Sequence, residues 1–180
     1  KSTLIQSITG NAEAEVGNGF KPCTRTARQY GFPQQKPILQ FLDTRGLGEA
    51  GYDPSEDIQF CSTQGHALIV VMKVGDTEQS ETLQAIRKIH ASGKIRNFLL
   101  VHTASHLVLD EQERERLIQF NREQVKQAYG QEMQSVSVDF KLSSGGVHGV
   151  DCLVQELTVM LPIVAVLAIK RQGSDAEAQR

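Results

Sequence analysis

Four apolar runs punctuate the chain, each with the length of a strand. Residues 37–43 (PILQFLD) are short, rich in β-formers and end on an acid. Residues 66–74 (HALIVVMKV) are apolar almost without a break, as in a strand covered on both faces. Residues 95–102 (IRNFLLVH) make a third run of this kind, and 135–142 (SVSVDFKL) a fourth with clearer alternation. Between the later runs the period changes. SETLQAIRKIHASG places Leu83, Ala85, Ile86 and Ile89 on one helical stripe and stops at Gly93. DEQERERLIQFNREQVKQAYG opens with acids, which suit the positive end of a helix, and closes at Gly130. GVDCLVQELTVML is helical again.

Strands alternating with helices predict an α/β fold with a mostly parallel sheet, in which ligands gather at the carboxyl ends of the strands. The residues just after each strand are therefore the candidates for chemistry. The segment 17–32 is polar and strand-poor, and is expected as a mobile loop. No repeat or low-complexity block interrupts the pattern, and the polar end RQGSDAEAQR reads as a frayed tail.

Composition narrows the class. The 180 residues suit one domain with a full core, and the net charge of −2 provides no global field for nucleic acid or an anionic membrane. Arg87, Lys88, Lys94 and Arg96 form a mildly basic cluster best read as a solvated face, so nucleic-acid contact is not indicated. The three cysteines are far apart with no CxxC spacing, which fits reduced thiols in a cytoplasmic protein. The run VMLPIVAVLAI at 159–169 is too short to span a bilayer and holds Pro162. The expected division is a domain over 1–161 and an extension over 162–180, the latter a linker to a downstream segment that could associate with a membrane.

Pairs of metal-ligating residues four apart, His102 with His106 and His148 with Cys152, lack further ligands nearby. No GxSxG elbow is present to support a serine hydrolase.

The opening KST carries more. A phosphate-cradling loop ends in Lys followed by Ser or Thr and feeds a helix, and here Lys1, Ser2 and Thr3 run into the amphipathic LIQSITG. The strand at 37–43 ends in Asp43-Thr44-Arg45-Gly46, a DxxG pattern: a carboxylate suited to Mg²⁺ and a glycine whose N–H can approach a phosphate. Between them lies CTRTA, with Thr24 and, in reserve, Thr26. The third strand run leads into VHTASHL, and the fourth into LSSGGVHGVDCL.

In this order and spacing the chain resembles the Era- and Ras-like P-loop GTPases of the translation-factor-related class, from Lys1 to about Leu161. The resemblance implies a three-layer αβα fold whose first strand and the front half of whose P-loop are absent from this chain, so that it is expected to be part of a longer protein. It implies a GTP-binding switch that hydrolyses GTP to GDP with Mg²⁺. Lys1 would contact the β and γ phosphates, with Ser2, Thr24 and Asp43 as Mg²⁺ ligands and Thr3 beside the nucleotide. Gly46 would read the γ-phosphate, and Thr103, His106, Ser143 and Ser144 would approach the base. The switch loops would be 17–32 and 46–60. The implied partners are a guanine nucleotide and a protein effector, with a homodimer across the nucleotide face as a habit of the class.

Two departures shape the expectation. Where the family reads guanine with [NT]KxD, this chain has Thr103-Ala104-Ser105-His106, without the lysine and the aspartate. After DxxG stands Leu47 rather than a water-positioning glutamine, which implies slow intrinsic hydrolysis unless Glu49 or a partner's side chain places the water. The alternatives are a degenerate GTPase-like interaction domain and an NTPase of relaxed or adenine preference.

Overall fold

The computed structural model describes residues 4–5, 20–22, 28–32, 39–43, 53, 55–65, 67–76, 78–93, 95, 97–140 and 148–160. The chain divides into two compact units, Gly46–Leu153 and Lys1–Arg45 with Val154–Arg180.

In the second of these, β1 (Phe20–Pro22), β2 (Arg28–Phe32) and β3 (Leu39–Asp43) form an antiparallel sheet in that order. Arg28 pairs with Asp43 and Phe32 with Leu39. This corrects the expectation of a loop throughout 17–32, since both β1 and β2 lie inside it. The sequence RQYGF alternates aromatic residues with glutamine and glycine, a weak strand signal on its own. Pairing along all of β3 supplies the hydrogen bonds that local preference does not. The run at 37–43 is thus a strand as expected, but its described partner is antiparallel. Leu4 and Ile5, just behind KST, have helical backbone and are buried.

The unit Gly46–Leu153 holds a parallel sheet of β4 (Ala67–Lys73), β5 (Asn97–Thr103) and β6 (Gln134–Val138), with β5 in the middle. Its helices are α1 (Ser55–Gln64), α2 (Ser80–Ala91) and α3 (Glu111–Tyr129), and α4 (Val150–Met160) contains the boundary between the units. This is an α/β architecture compatible with a Rossmann-like or P-loop-type fold.

The position of each strand explains its composition. β5 is central, and Phe98 through His102 are buried on both faces. β4 flanks it, and only Val70 and Met72 are buried there. These two join Phe98 and Leu100 of β5, Leu83, Ile86 and Ile89 of α2, and Val125, Ala128 and Tyr129 of α3 in one core. At about 1.5–3 kcal/mol for each large side chain taken fully from water, this cluster is the main stabilising feature of the unit.

The ends of α3 are well defined. The Asp110 carboxylate accepts from the Glu113 N–H at 2.7 Å, a cap worth about 1 kcal/mol, and Gly130 closes the helix with its N–H on Lys126 O at 2.8 Å. At the other end of the core the Phe98 and Tyr129 rings lie 4.2 Å apart, centroid to centroid.

α1 is a second correction, because it occupies the later half of the expected switch loop 46–60. Its sequence SEDIQFCSTQ has few apolar positions at helical spacing, so the periodic signal is faint. Acids in its first turn favour the helix, and Ile58 and Cys61 pack against the core. Among the described residues no helix is long and apolar enough to cross a membrane.

Candidate functional site

β5 ends at Thr103, whose carbonyl accepts from the Val74 N–H at 2.9 Å. The next residue, Ala104, has φ 58° and ψ 29°, left-handed backbone on a residue that has a Cβ. Such a conformation costs about 1–2 kcal/mol and persists only where surrounding contacts over-determine it. Here they do. The chain turns sharply into a short 3₁₀ turn, Ser105–Leu107, closed by Leu107 N–H on Ala104 O and Val108 N–H on Ser105 O, both 3.1 Å.

That turn aims three donors at one carboxylate. Asp139 lies directly after β6, with its side chain only 7% exposed. Its Oδ1 accepts from the Ser105 backbone N–H at 2.9 Å and lies 3.0 Å from His106 Nδ1. The Ser105 hydroxyl donates to Oδ2. Burial raises the cost of the charge on Asp139. The bonds from Ser105 Oγ and His106, the His106 charge and the Ser105 N–H outweigh it, holding the carboxyl below its ordinary range.

Asp139 is itself fixed through its backbone. It exchanges two hydrogen bonds with His148, Asp139 N–H to His148 O at 3.0 Å and His148 N–H to Asp139 O at 2.9 Å. Gly149 then leads into α4 at φ +82°. The strand expected at 135–142 therefore ends at Val138, because Asp139 turns its carboxylate to the β5 loop and its backbone to His148. On the other side of the turn, Arg114 Nη1 of α3 donates to Val108 O at 3.2 Å.

Behind this turn stands His102, 1% exposed, with neither ring nitrogen hydrogen-bonded among the described residues. Burial first, and the nearby Arg122 charge second, push its pKa down to about 4, so the ring is neutral at ordinary pH.

Two sequence candidates stand at the carboxyl end of the central strand, Thr103 as the last residue of β5 and His106 in the 3₁₀ turn that follows. Asp43 is the last residue of β3 and its backbone pairs with Arg28. Lys1, Ser2, Thr3, Thr24, Thr26, Gly46, Leu47, Glu49, Ser143 and Ser144 lie outside the described residues. The set Ser2, Thr24 and Asp43 offers only oxygen donors, which suits Mg²⁺. Among the described residues no group of three or more His, Cys, Asp or Glu could hold a metal ion. His102 and His106 share no helical face, since His102 is in β5 and His106 in the 3₁₀ turn.

Asp139 is the site residue the sequence reading passes over. The argument that singles out Asp43, an acid ending an apolar strand, applies equally to SVSVD once the strand is closed at Val138.

No protein-family model matches the chain. Part of it is similar to the capsule polysaccharide modification protein LipA of Neisseria meningitidis. The serogroup A protein is 34% identical over 87 residues, 43% of this chain and 12% of LipA. The serogroup B protein is 37% identical over 82 residues, 40% of this chain and 12% of LipA. The matched region is therefore a small part of those relatives.

Proposed function

We propose that this chain carries a nucleotide-dependent switch domain of the GTPase type, binding GTP with Mg²⁺ and hydrolysing it to GDP. The observation that supports this reading is the Thr103–His106 loop. It follows the central strand of a parallel sheet at its carboxyl end, and a left-handed Ala104 and a buried carboxylate hold it in one conformation. Ligands of such sheets bind there, and local backbone strain accumulates at functional positions.

In this proposal Lys1 neutralises the β and γ phosphates, with Thr3 at the start of the helix behind it. Ser2, Thr24 and Asp43 hold Mg²⁺, Gly46 senses the γ-phosphate, and Ser143 and Ser144 approach the base. The Mg²⁺ that these residues would hold would supply positive charge to offset the charge that develops on the phosphate during transfer. With Leu47 after DxxG, turnover is slow until a partner positions the water. The effector, the homodimer and the compartment belong to the same proposal.

The test is phosphate release by the full-length protein, with and without Asp43→Asn. A loss of Mg²⁺-dependent turnover in the variant supports the reading, and unchanged turnover sinks it.

One observation favours a second reading, a GTPase-like interaction domain without guanine recognition. Ser105 and His106 direct their donors to the chain's own Asp139, leaving no carboxylate at the fourth motif position. Nucleotide-free protein that fails to take up labelled GDP would select it. The stretch shared with LipA, 12% of that protein, supports no transfer of polysaccharide modification to this chain.

A further inference from the structure

Leu107 and Leu109 stand on the turn that leads from β5 into α3, 67% and 92% exposed. Val108 between them has extended backbone and points inward, where a Cβ added at Gly75 in the β4–α2 loop would lie 3.7 Å from its Cγ2. Its N–H donates to Ser105 O, and its carbonyl accepts from Arg114 Nη1. The two leucines are therefore held outward by a fixed backbone. Leu109 also precedes the Asp110 cap, a place from which an apolar side chain ordinarily packs on the fourth residue of the helix. That residue is Arg114, which turns its guanidinium to Val108, so Leu109 stays in solvent. Single exposed leucines are ordinary, but two on one immobilised turn form an anchor with little backbone ordering left to lose on binding.

The charges around the pair select what covers it. Asp76 and Glu78 in the β4–α2 loop and Asp110 at the cap are exposed, and none has an ion-pair partner among the described residues. They accept from neutral donors, the Glu78 N–H, the Ser80 hydroxyl and the Glu113 N–H, which leaves their charge in place. Glu111 and Glu113 are matched by Arg114 and Arg116. Lys73 ends β4, but its place after Met72 turns it to the opposite face of the sheet from the α2–α3 core. We infer that Leu107 and Leu109 anchor a docking surface for a basic amphipathic segment of another protein, which sets aliphatic side chains on the pair and Lys or Arg on Asp76, Glu78 and Asp110. The acidic rim attracts such a segment and repels acidic ones. Docking here does not depend on nucleotide binding.

The experiment is fluorescence anisotropy of a short synthetic amphipathic helix of leucine and lysine, titrated with the full-length protein. The same helix with glutamate in place of lysine is the control. The lysine helix should bind about tenfold more tightly than the glutamate one, or better. Leu107→Ser with Leu109→Ser should weaken it about tenfold or more. Both side chains are exposed, so this variant should keep the urea midpoint of the parent. Asp76→Asn with Glu78→Gln keeps acceptor oxygens in place and should weaken binding about threefold at low salt, a difference that high salt removes. Phe120→Ser removes another exposed apolar side chain, about two and a half turns along α3, and should change nothing. Equal binding of the two helices would overturn the inference. So would a lysine helix that does not bind, or one indifferent to the leucine pair. Self-association of the unmodified protein that the leucine substitutions abolish would assign the surface to a second copy and overturn it as well.

Discussion

Ser105 binds Asp139 twice, through its backbone N–H at 2.9 Å and through its hydroxyl, although 34 residues separate them in sequence. One side chain thereby ties the end of β5 to the end of β6. Asp139→Ala would leave the Ser105 N–H, the Ser105 hydroxyl and His106 Nδ1 without their acceptor. Hydrogen bonds to a charged group contribute about 1.5–3 kcal/mol, so the variant should lose about 2–3 kcal/mol on urea unfolding. Asp139→Asn keeps an acceptor oxygen and should lose less than half of that. Equal losses for the two variants would show that the carboxylate's charge, and not a neutral acceptor oxygen, holds the turn.

The two buried titratable groups of this region should produce separate acid transitions. His102 has a folded pKa of about 4 against an ordinary 6.5. Its unfolded form takes up a proton first, so stability is full above pH 6.5 and declines as the pH falls toward 4. The loss converts to at most about 3 kcal/mol. Asp139 is depressed instead, so its contribution is complete above its unfolded pKa of about 4 and disappears only as the pH drops through its lower folded value. Urea unfolding between pH 3 and 8 should therefore show a slope from 6.5 to 4 that His102→Leu abolishes. Asp139→Asn should leave that slope in place.

His102 also sits in a row whose partner can be derived. Phe98, Leu100 and His102 alternate onto one face of β5, and α3 returns antiparallel to the strand with Tyr129, Val125 and Asn121 at four-residue spacing. Two strand residues span about 6.6 Å and four helical residues about 6 Å, so the rows keep step. Tyr129 meets Phe98 at 4.2 Å, and the matched spacing brings Asn121 to the level of His102 along the strand. The Asn121 Nδ2 and both His102 ring nitrogens lack partners among the described residues. Unpaired buried polar groups are costly, so His102→Leu combined with Asn121→Leu should raise stability at pH 7 by about 1–2 kcal/mol. A loss of similar size in thermal and urea unfolding would mean that an internal water bridges the two side chains.

The part of this architecture legible in the sequence is the part written in local periods. The stripe Leu83, Ala85, Ile86 and Ile89 is the buried face of α2, and the acids and Gly130 mark the ends of α3. The unbroken apolar run of β5 reflects its central place. β2 and α1 escape because RQYGF and SEDIQFCSTQ carry little periodic signal and are stabilised by what they meet. The loop was legible as a motif position, through Thr103 and His106. Its carboxylate was not, because the Ser105–Asp139 contact is non-local and Asp139 resembles an interior residue of an alternating strand. The altered motif and the distant acid make sense only together.

The junction between Asp139 and α4 depends on a glycine. At Gly149 an added Cβ would clash with the Ser137 carbonyl oxygen, and the backbone has φ +82°. Both problems fall on backbone, which cannot move aside as a side chain can. Gly93, after α2, has φ +68° but nothing within 4 Å of such a Cβ. Gly93→Ala should therefore cost about 1 kcal/mol, the penalty of left-handed backbone alone. Gly149→Ala should cost about 4 kcal/mol or more, since the clash must displace the end of β6 or the start of α4. That displacement pulls on Asp139, so it should also release the Ser105 N–H. Amide hydrogen exchange reads both effects: Gly149→Ala should speed exchange at Ser105 selectively before global unfolding, and Gly93→Ala should leave it protected. Uniform acceleration across β5 in Gly149→Ala would instead show that the glycine supports the sheet and not the loop.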